Sequence, residues 1–135
     1  MTLAAGCGGP SHSGYVKRAD AICAAFAGAS KPLSRPRSYT EVAAYVRQTL
    51  PLYEAALRKL EALDPPPRDA DAARRWLAAD RRVARAFRLL GEAADRRDFP
   101  AVTAAVSEAK LAGNQSRRAA AALGTHVCAE VPRSG

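Results

Sequence analysis

Apolar residues recur at alternating spacings of four and three along most of this chain, which is the pattern of amphipathic helices. The first such run contains Tyr15, Ala19, Ile22 and Phe26. No segment shows the alternation of apolar and polar residues that would predict a strand. The pattern therefore predicts an all-α fold. Short connections between the helices favour an up-down-up-down four-helix bundle, with helices at residues 14–30, 40–63, 69–97 and 99–123.

Residues at the predicted boundaries are ones that commonly begin or end helices. Ser38 or Thr40 is placed to cap the second helix, and Asp98 to cap the fourth, with Pro100 in its first turn. Gly124 follows the last apolar position and predicts a left-handed stop. The connections between helices are therefore short.

Three features interrupt the regular pattern. Pro51 lies inside the second stripe and predicts a kink, not a break. Asp80 lies on the apolar stripe of the third helix, where we expect it at the margin of the stripe and paired with an arginine, because burying an isolated charge is costly. A functional carboxylate in the core is the alternative. Small residues such as Ala109 and Gly113 predict a close helix approach along the fourth helix.

Composition supports a single helical domain. The 135 residues include 32 alanines and only 6% aromatic residues, and alanine is the best helix former. No uncharged apolar run approaches the ~18 residues that a membrane span needs. We expect a bundle domain at residues 14–131, preceded by a Gly- and Ser-rich tether at 1–13.

The chain is strongly basic, with a formal net charge of +8, and 17 of its 21 basic residues are arginine. One face of the third helix carries four of these arginines. This arginine face is either solvated surface, a contact for anionic lipid or wall polymer, or a face for nucleic acid. Against nucleic acid, the arginines lack interleaved aromatic residues and glycine-rich loops. The arginine face comprises Arg74, Arg81, Arg85 and Arg88.

The sequence carries no recognisable catalytic constellation. His12 and His126 are the only histidines, and neither lies in the context of a nucleophile elbow. The chain has no phosphate-binding loop and no dinucleotide fingerprint, and its acidic residues are not paired along an apolar stripe. We therefore expect neither an enzyme nor a cofactor site.

The chain has three cysteines, Cys7, Cys23 and Cys128. The bundle topology brings Cys128, after the last helix, back towards Cys23 in the first. This pair predicts a disulfide, which leaves Cys7 unpaired. Two buried thiols are one alternative. A metal site formed by Cys23, Cys128 and His126 is another alternative, although structural zinc sites use four ligands and the sequence suggests no fourth.

Cys7 follows the small residues of LAAGC, as at a bacterial lipoprotein cleavage site, although Ala4 stands where leucine is usual. Only six residues precede it, too few for the charged and apolar regions of a signal peptide. We expect that Met1 lies inside the true signal and that Cys7 is the lipidated first mature residue. If Met1 is the true start, the protein stays in the cytosol.

Three segments carry a resemblance that covers about residues 15–128: YVKRADAIC, LRKLEALDPPP and AAALGTHVC. With them the chain resembles a loose family of small exported actinobacterial proteins of unassigned function, often lipoproteins. The resemblance implies a helical bundle tied by Cys23 and Cys128 and implies no reaction.

The predicted function is a lipid-anchored, non-enzymatic binding or structural module on the outer face of the cytoplasmic membrane, or a secreted one if Cys7 is not lipidated. Its expected partner is the membrane, with anionic lipid or wall polymer as a further possibility. The alternative is a soluble basic intracellular protein that binds nucleic acid.

Overall fold

The computed structural model describes residues 10–131, and this part of the chain is an antiparallel four-helix bundle. Helices adjacent in sequence pack against each other, and a 3₁₀ turn that follows the last helix packs on the first and last helices. The elements are α1 (His12–Ser30), α2 (Tyr39–Ala62), a 3₁₀ turn (Pro67–Asp69), α3 (Ala70–Asp95), α4 (Phe99–Leu123) and a second 3₁₀ turn (Cys128–Glu130). The predicted fold class is confirmed.

Side-chain caps begin three of the helices. Ser38 accepts a hydrogen bond from the amide of Glu41, and Asp98 accepts one from the amide of Ala101, as the sequence predicts. Ser11 accepts from the amide of Gly14 at 3.0 Å, which starts α1 at His12, two residues before the predicted position. The ordered bundle therefore includes part of the segment predicted to be tether.

Two helices end in the same left-handed motif, in which paired backbone hydrogen bonds satisfy the last carbonyls. After α4, the amides of Gly124 and Thr125 donate to the carbonyls of Ala121 and Ala120, and Gly124 has φ 96°. The predicted stop at Gly124 is confirmed. After α3 the equivalent position is Arg97 with φ 55°, a conformation that costs a residue with a Cβ atom more than it costs glycine.

Helix α2 continues through Pro51 without a break, and Pro51 is exposed. The missing amide hydrogen therefore lies on the solvent side, where water can satisfy the carbonyl that lost its partner. The kink at this position stays a prediction.

The core consists of two clusters of buried side chains. The larger surrounds Trp76 and the two cysteines of the bundle, and the smaller joins Val46 on α2 to Leu90 on α3 and Val102 on α4. Phe87 packs against both clusters. At the smaller cluster α2 and α3 approach closely, because a Cβ atom on Gly91 would lie 2.9 Å from Cγ1 of Val46.

Candidate functional site

Cys23, near the middle of α1, and Cys128, in the second 3₁₀ turn, form a disulfide. The S–S distance is 2.05 Å and the Cα atoms are 5.3 Å apart, inside the range that a disulfide permits. The sequence prediction is confirmed, and the buried-thiol and metal alternatives are wrong for this pair. Within residues 10–131, no group of three or more His, Cys, Asp or Glu side chains is placed to hold a metal.

Asp20 positions the chain segment that carries Cys128. Its carboxylate accepts hydrogen bonds from the backbone amides of His126, Val127 and Cys128, at 2.9, 2.9 and 3.0 Å. These amides have no helical carbonyl to bond, so the carboxylate replaces the missing acceptors. The sequence gives no local sign of this role, because Asp20 and the three amides are 106, 107 and 108 positions apart along the chain.

Asp80 is buried, which corrects the expectation that it lies at the margin of its stripe beside an arginine. Only 6% of the residue is exposed. The hydroxyls of Tyr53 and Ser116 both donate to its Oδ1 atom, at 2.9 and 2.5 Å. Hydroxyls from α2 and α4 thus satisfy a carboxyl on α3, and no arginine is needed to cover it.

Burial dominates the protonation of this cluster. Removal from water raises the pKa of Asp80 to about 6, although the hydrogen bonds from Ser116 and Tyr53 and the charge of Arg81 act in the opposite direction. Burial, together with the neighbouring Asp80 charge and hydrogen bond, also raises the pKa of Tyr53 well above its ordinary value. The cavity beside Asp80 and the disulfide has about 20 Å³, space for about one water molecule. Asp80 is therefore placed as a structural carboxyl rather than as the wall of a substrate site.

The arginine face predicted on α3 is largely paired with acidic side chains. Arg81 lies 2.6 Å from Glu61, Arg88 pairs with Glu54, and Arg74 pairs with its neighbour Asp71. Arg85 is exposed and forms no ion pair with the acidic residues of the described chain. The face thus presents mixed charge, and its role as an anionic contact stays a prediction.

A cleft of about 600 Å³ opens beside the α1–α2 linker. We call it the cationic cleft. Its floor is apolar and comes from α3, where Val83 and Leu90 are buried and Phe87 is half-buried. Leu33 of the linker and Val106 of α4 add further apolar surface. The volume falls within the ~300–1,000 Å³ of typical small-molecule sites.

The cleft exists because α1 is too short to close the bundle. Helix α1 has 19 residues, whereas α3 and α4 have 26 and 25. At a rise of ~1.5 Å per residue, the difference leaves about 10 Å of α3 and about 9 Å of α4 without a fourth helix beside them. The linker after Ser30 crosses this gap, and Ala109 and Gly113 of α4 are too small to fill it. Gly113 is itself buried, and the close approach predicted along this part of α4 stays a prediction.

Basic side chains stand on two sides of the cleft. Lys31 and Arg35 come from the linker, and Lys110 and Arg117 stand two turns apart on α4. Arg117 donates to the Oδ1 atom of Asn114, another lining residue. No acidic side chain lines the cleft among the residues the structure describes. Sequence analysis missed this site because the four cations come from separate elements and form no linear motif.

The remaining sequence prediction, lipidation at Cys7, lies outside the described residues. No helix within residues 10–131 has the length and apolar character to cross a membrane.

No protein-family model, curated protein or solved structure matches this chain. The resemblance to small exported actinobacterial proteins therefore stays a prediction.

Proposed function

We propose that this chain is an exported protein of the cell envelope, anchored by lipid at Cys7 to the outer face of the cytoplasmic membrane, with a bundle that acts as a non-enzymatic binding module. The observation that carries the proposal is the Cys23–Cys128 disulfide, which joins residues 105 positions apart. Disulfides form and persist in oxidising compartments outside the cytosol and are rare inside it.

Cys7 supplies the anchor in this proposal. It is the cysteine left over once the other two are bridged, and it follows the small residues that a lipoprotein signal peptidase requires. Two acyl chains would hold the protein stably on the membrane, whereas a single chain holds only marginally. Cys7 precedes the N-cap of α1 at Ser11, so in this proposal the lipid is attached before the first helix of the bundle.

A binding role suits the bundle better than catalysis does. The most perturbed carboxyl, Asp80, is satisfied by two hydroxyls in the core, and the cavity beside it has space for about one water molecule. The cationic cleft, in contrast, has the volume and the mixed lining of a small-molecule site. No catalytic pair faces it, since its lining contains no acid and no histidine among the described residues.

The nucleic-acid alternative receives less support. The arginine face would be its electrostatic contact, yet three of the four arginines have acidic partners within ion-pair distance. Such pairs reduce the field that would attract a phosphate backbone. A disulfide also favours a compartment outside the cytosol, where a protein does not meet the genome.

The test is cell fractionation of the protein expressed with the coding sequence upstream of Met1. We expect the wild type in the membrane fraction and Cys7→Ser in the soluble fraction, with the same thermal unfolding, because the acyl chains supply most of the membrane affinity. The matched control is Arg74→Glu/Arg85→Glu on the arginine face, which should stay with the membrane. The DNA upstream of Met1 should encode an in-frame basic and apolar segment.

Two results would contradict the proposal. In the first, Cys7→Ser stays on membranes and is released only when the salt concentration is raised. Salt screens the attraction between basic residues and anionic lipid, which is worth ~1 kcal/mol per residue, so this result would identify the basic surface as the anchor. If non-reducing mass spectrometry of the protein from cells finds Cys23 and Cys128 as free thiols, the argument for an oxidising compartment fails.

A further inference from the structure

We infer that the cationic cleft binds one molecule of a single-chain anionic amphiphile, such as a long-chain carboxylate, with its tail on the floor formed by α3 and its head group between the linker and α4. The inference rests on the proposal that the bundle is a binding module, and it names the class of ligand. It does not depend on how the protein reaches the membrane.

The charges beside the cleft favour an anion. Lys31, Arg35 and Lys110 are exposed and form no ion pair with the acidic residues of the described chain. The arginine face differs, since most of its charges are compensated locally. Uncompensated cations on opposite sides of one concavity raise the local concentration of anions.

The floor of the cleft requires an apolar group on the same molecule. Leu33, Phe87 and Val106 are only half-buried, so they leave apolar surface exposed in the cleft above the core residues of α3. A small hydrophilic anion would leave this apolar surface in water. A neutral lipid would cover the floor but leave the cations without a partner, so only an amphiphile satisfies both parts of the lining.

The size of the cleft limits the ligand to one chain. About 600 Å³ is typical of sites that take molecules of drug size. The ligand is therefore a monomeric amphiphile and not the surface of a membrane. Tyr45 and Asn114, which also line the cleft, supply polar groups that can orient a head group.

The experiment measures binding of hexadecanoate, below its micelle concentration, to the full 135-residue chain by displacement of a fluorescent fatty acid. Hexadecanol tests the tail without the charge, and acetate tests the charge without the tail. We expect hexadecanoate to bind with a stoichiometry of one, at least about tenfold more tightly than either comparison ligand, and more weakly as ionic strength rises.

Two variants locate the site. Lys31→Glu/Lys110→Glu reverses one charge on each side of the cleft and should weaken hexadecanoate binding about tenfold or more, because two attractive charges beside the head group become repulsive. The matched control, Arg74→Glu/Arg85→Glu, changes the net charge equally on the arginine face and should bind within about twofold of wild type, since distant exposed charges are screened. Ala109→Trp narrows the cleft without changing charge and should also weaken binding. Circular dichroism and thermal unfolding must show that each variant is folded.

Several outcomes would overturn the inference. Equal affinity for hexadecanol would remove the role of the cations, and unchanged binding in both cleft variants would place the ligand elsewhere. Association with phosphatidylglycerol vesicles without binding of monomeric hexadecanoate would identify a membrane-facing surface instead. A ligand-free dimer that Leu33→Glu converts to monomer would show that a second copy covers the cleft. The binding experiments use purified protein and do not depend on the membrane anchor. The binding prediction can therefore fail while the fractionation prediction holds, and the fractionation prediction can fail while the binding prediction holds.

Discussion

The buried carboxyl of Asp80 makes the stability of the bundle depend on pH in a direction opposite to that of most acidic residues. Folding raises its pKa from 3.8 to about 6, chiefly because burial removes it from water. The native state therefore holds a proton more tightly than the unfolded chain does. The resulting stability is fully present below about pH 4 and is lost as the pH rises to about 6.

The size of the effect follows from the shift. Two pKa units correspond to about 3 kcal/mol, at ~1.4 kcal/mol per unit. Asp80→Asn removes the charge and keeps an oxygen that can accept from Tyr53 and Ser116. Relative to wild type, the variant should gain about 3 kcal/mol of unfolding free energy between pH 3.5 and pH 7.5. Any constant cost of placing the amide nitrogen cancels in this comparison.

The assay is urea unfolding of wild type and Asp80→Asn across this pH range, followed by circular dichroism. Asp64→Asn, which neutralises an exposed carboxylate in the loop after α2, is the matched control and should show no comparable gain. If the difference between Asp80→Asn and wild type is the same at both ends of the range, then Asp80 has an ordinary pKa in the native state, and the account of its burial is wrong.

Three further predictions concern the covalent and backbone geometry of the bundle, and each is measured by denaturant unfolding. Replacing Cys23 and Cys128 together by alanine should cost about 5 kcal/mol in the chain-entropy model; a loss below about 1 kcal/mol would contradict that model here. Gly91→Ala should cost about 1–3 kcal/mol of unfolding free energy through overpacking against α2. This cost should be smaller in a protein that also carries Val46→Ala. If the costs of the two substitutions simply add in the double variant, the close approach of α2 and α3 is refuted. Arg97→Gly should stabilise the bundle by about 1 kcal/mol, because glycine adopts the left-handed conformation without a steric penalty. Gly124→Ala should destabilise it by a similar amount. If both substitutions change the free energy of unfolding in the same direction, the backbone assignment is wrong.

The helices and their ends were predictable because the signals that fix them are local. An apolar stripe, a capping hydroxyl such as that of Ser38 and a glycine at position 124 each act within one or two turns of the chain. Arg97 escaped prediction because nothing in its chemistry favours a positive φ. The turn that it occupies is set by the following cap at Asp98 and by the packing of α3 on α4.

The environment of Asp80 was mispredicted because it depends on long-range partners. The rule that an isolated buried charge is costly holds, but two hydroxyls, 27 and 36 positions away, supply the compensation. In the sequence, Ser116 is a small residue among the apolar positions of the fourth helix. A serine within an apolar stripe can serve either close helix packing or a hydrogen bond across the helix interface. The spacing of residues alone does not distinguish these two roles.

The cationic cleft and the disulfide are consequences of one property of α1. The buried residues of this helix, Tyr15, Ala19 and Cys23, all lie in its first twelve positions. The disulfide and the carboxylate of Asp20 fix that half of the helix. The other half contributes no buried residue and ends early, so the gap over α3 stays open. The disulfide and Asp20 thus hold α1 in place without burial of its second half, which leaves apolar surface in the cleft that a ligand can cover.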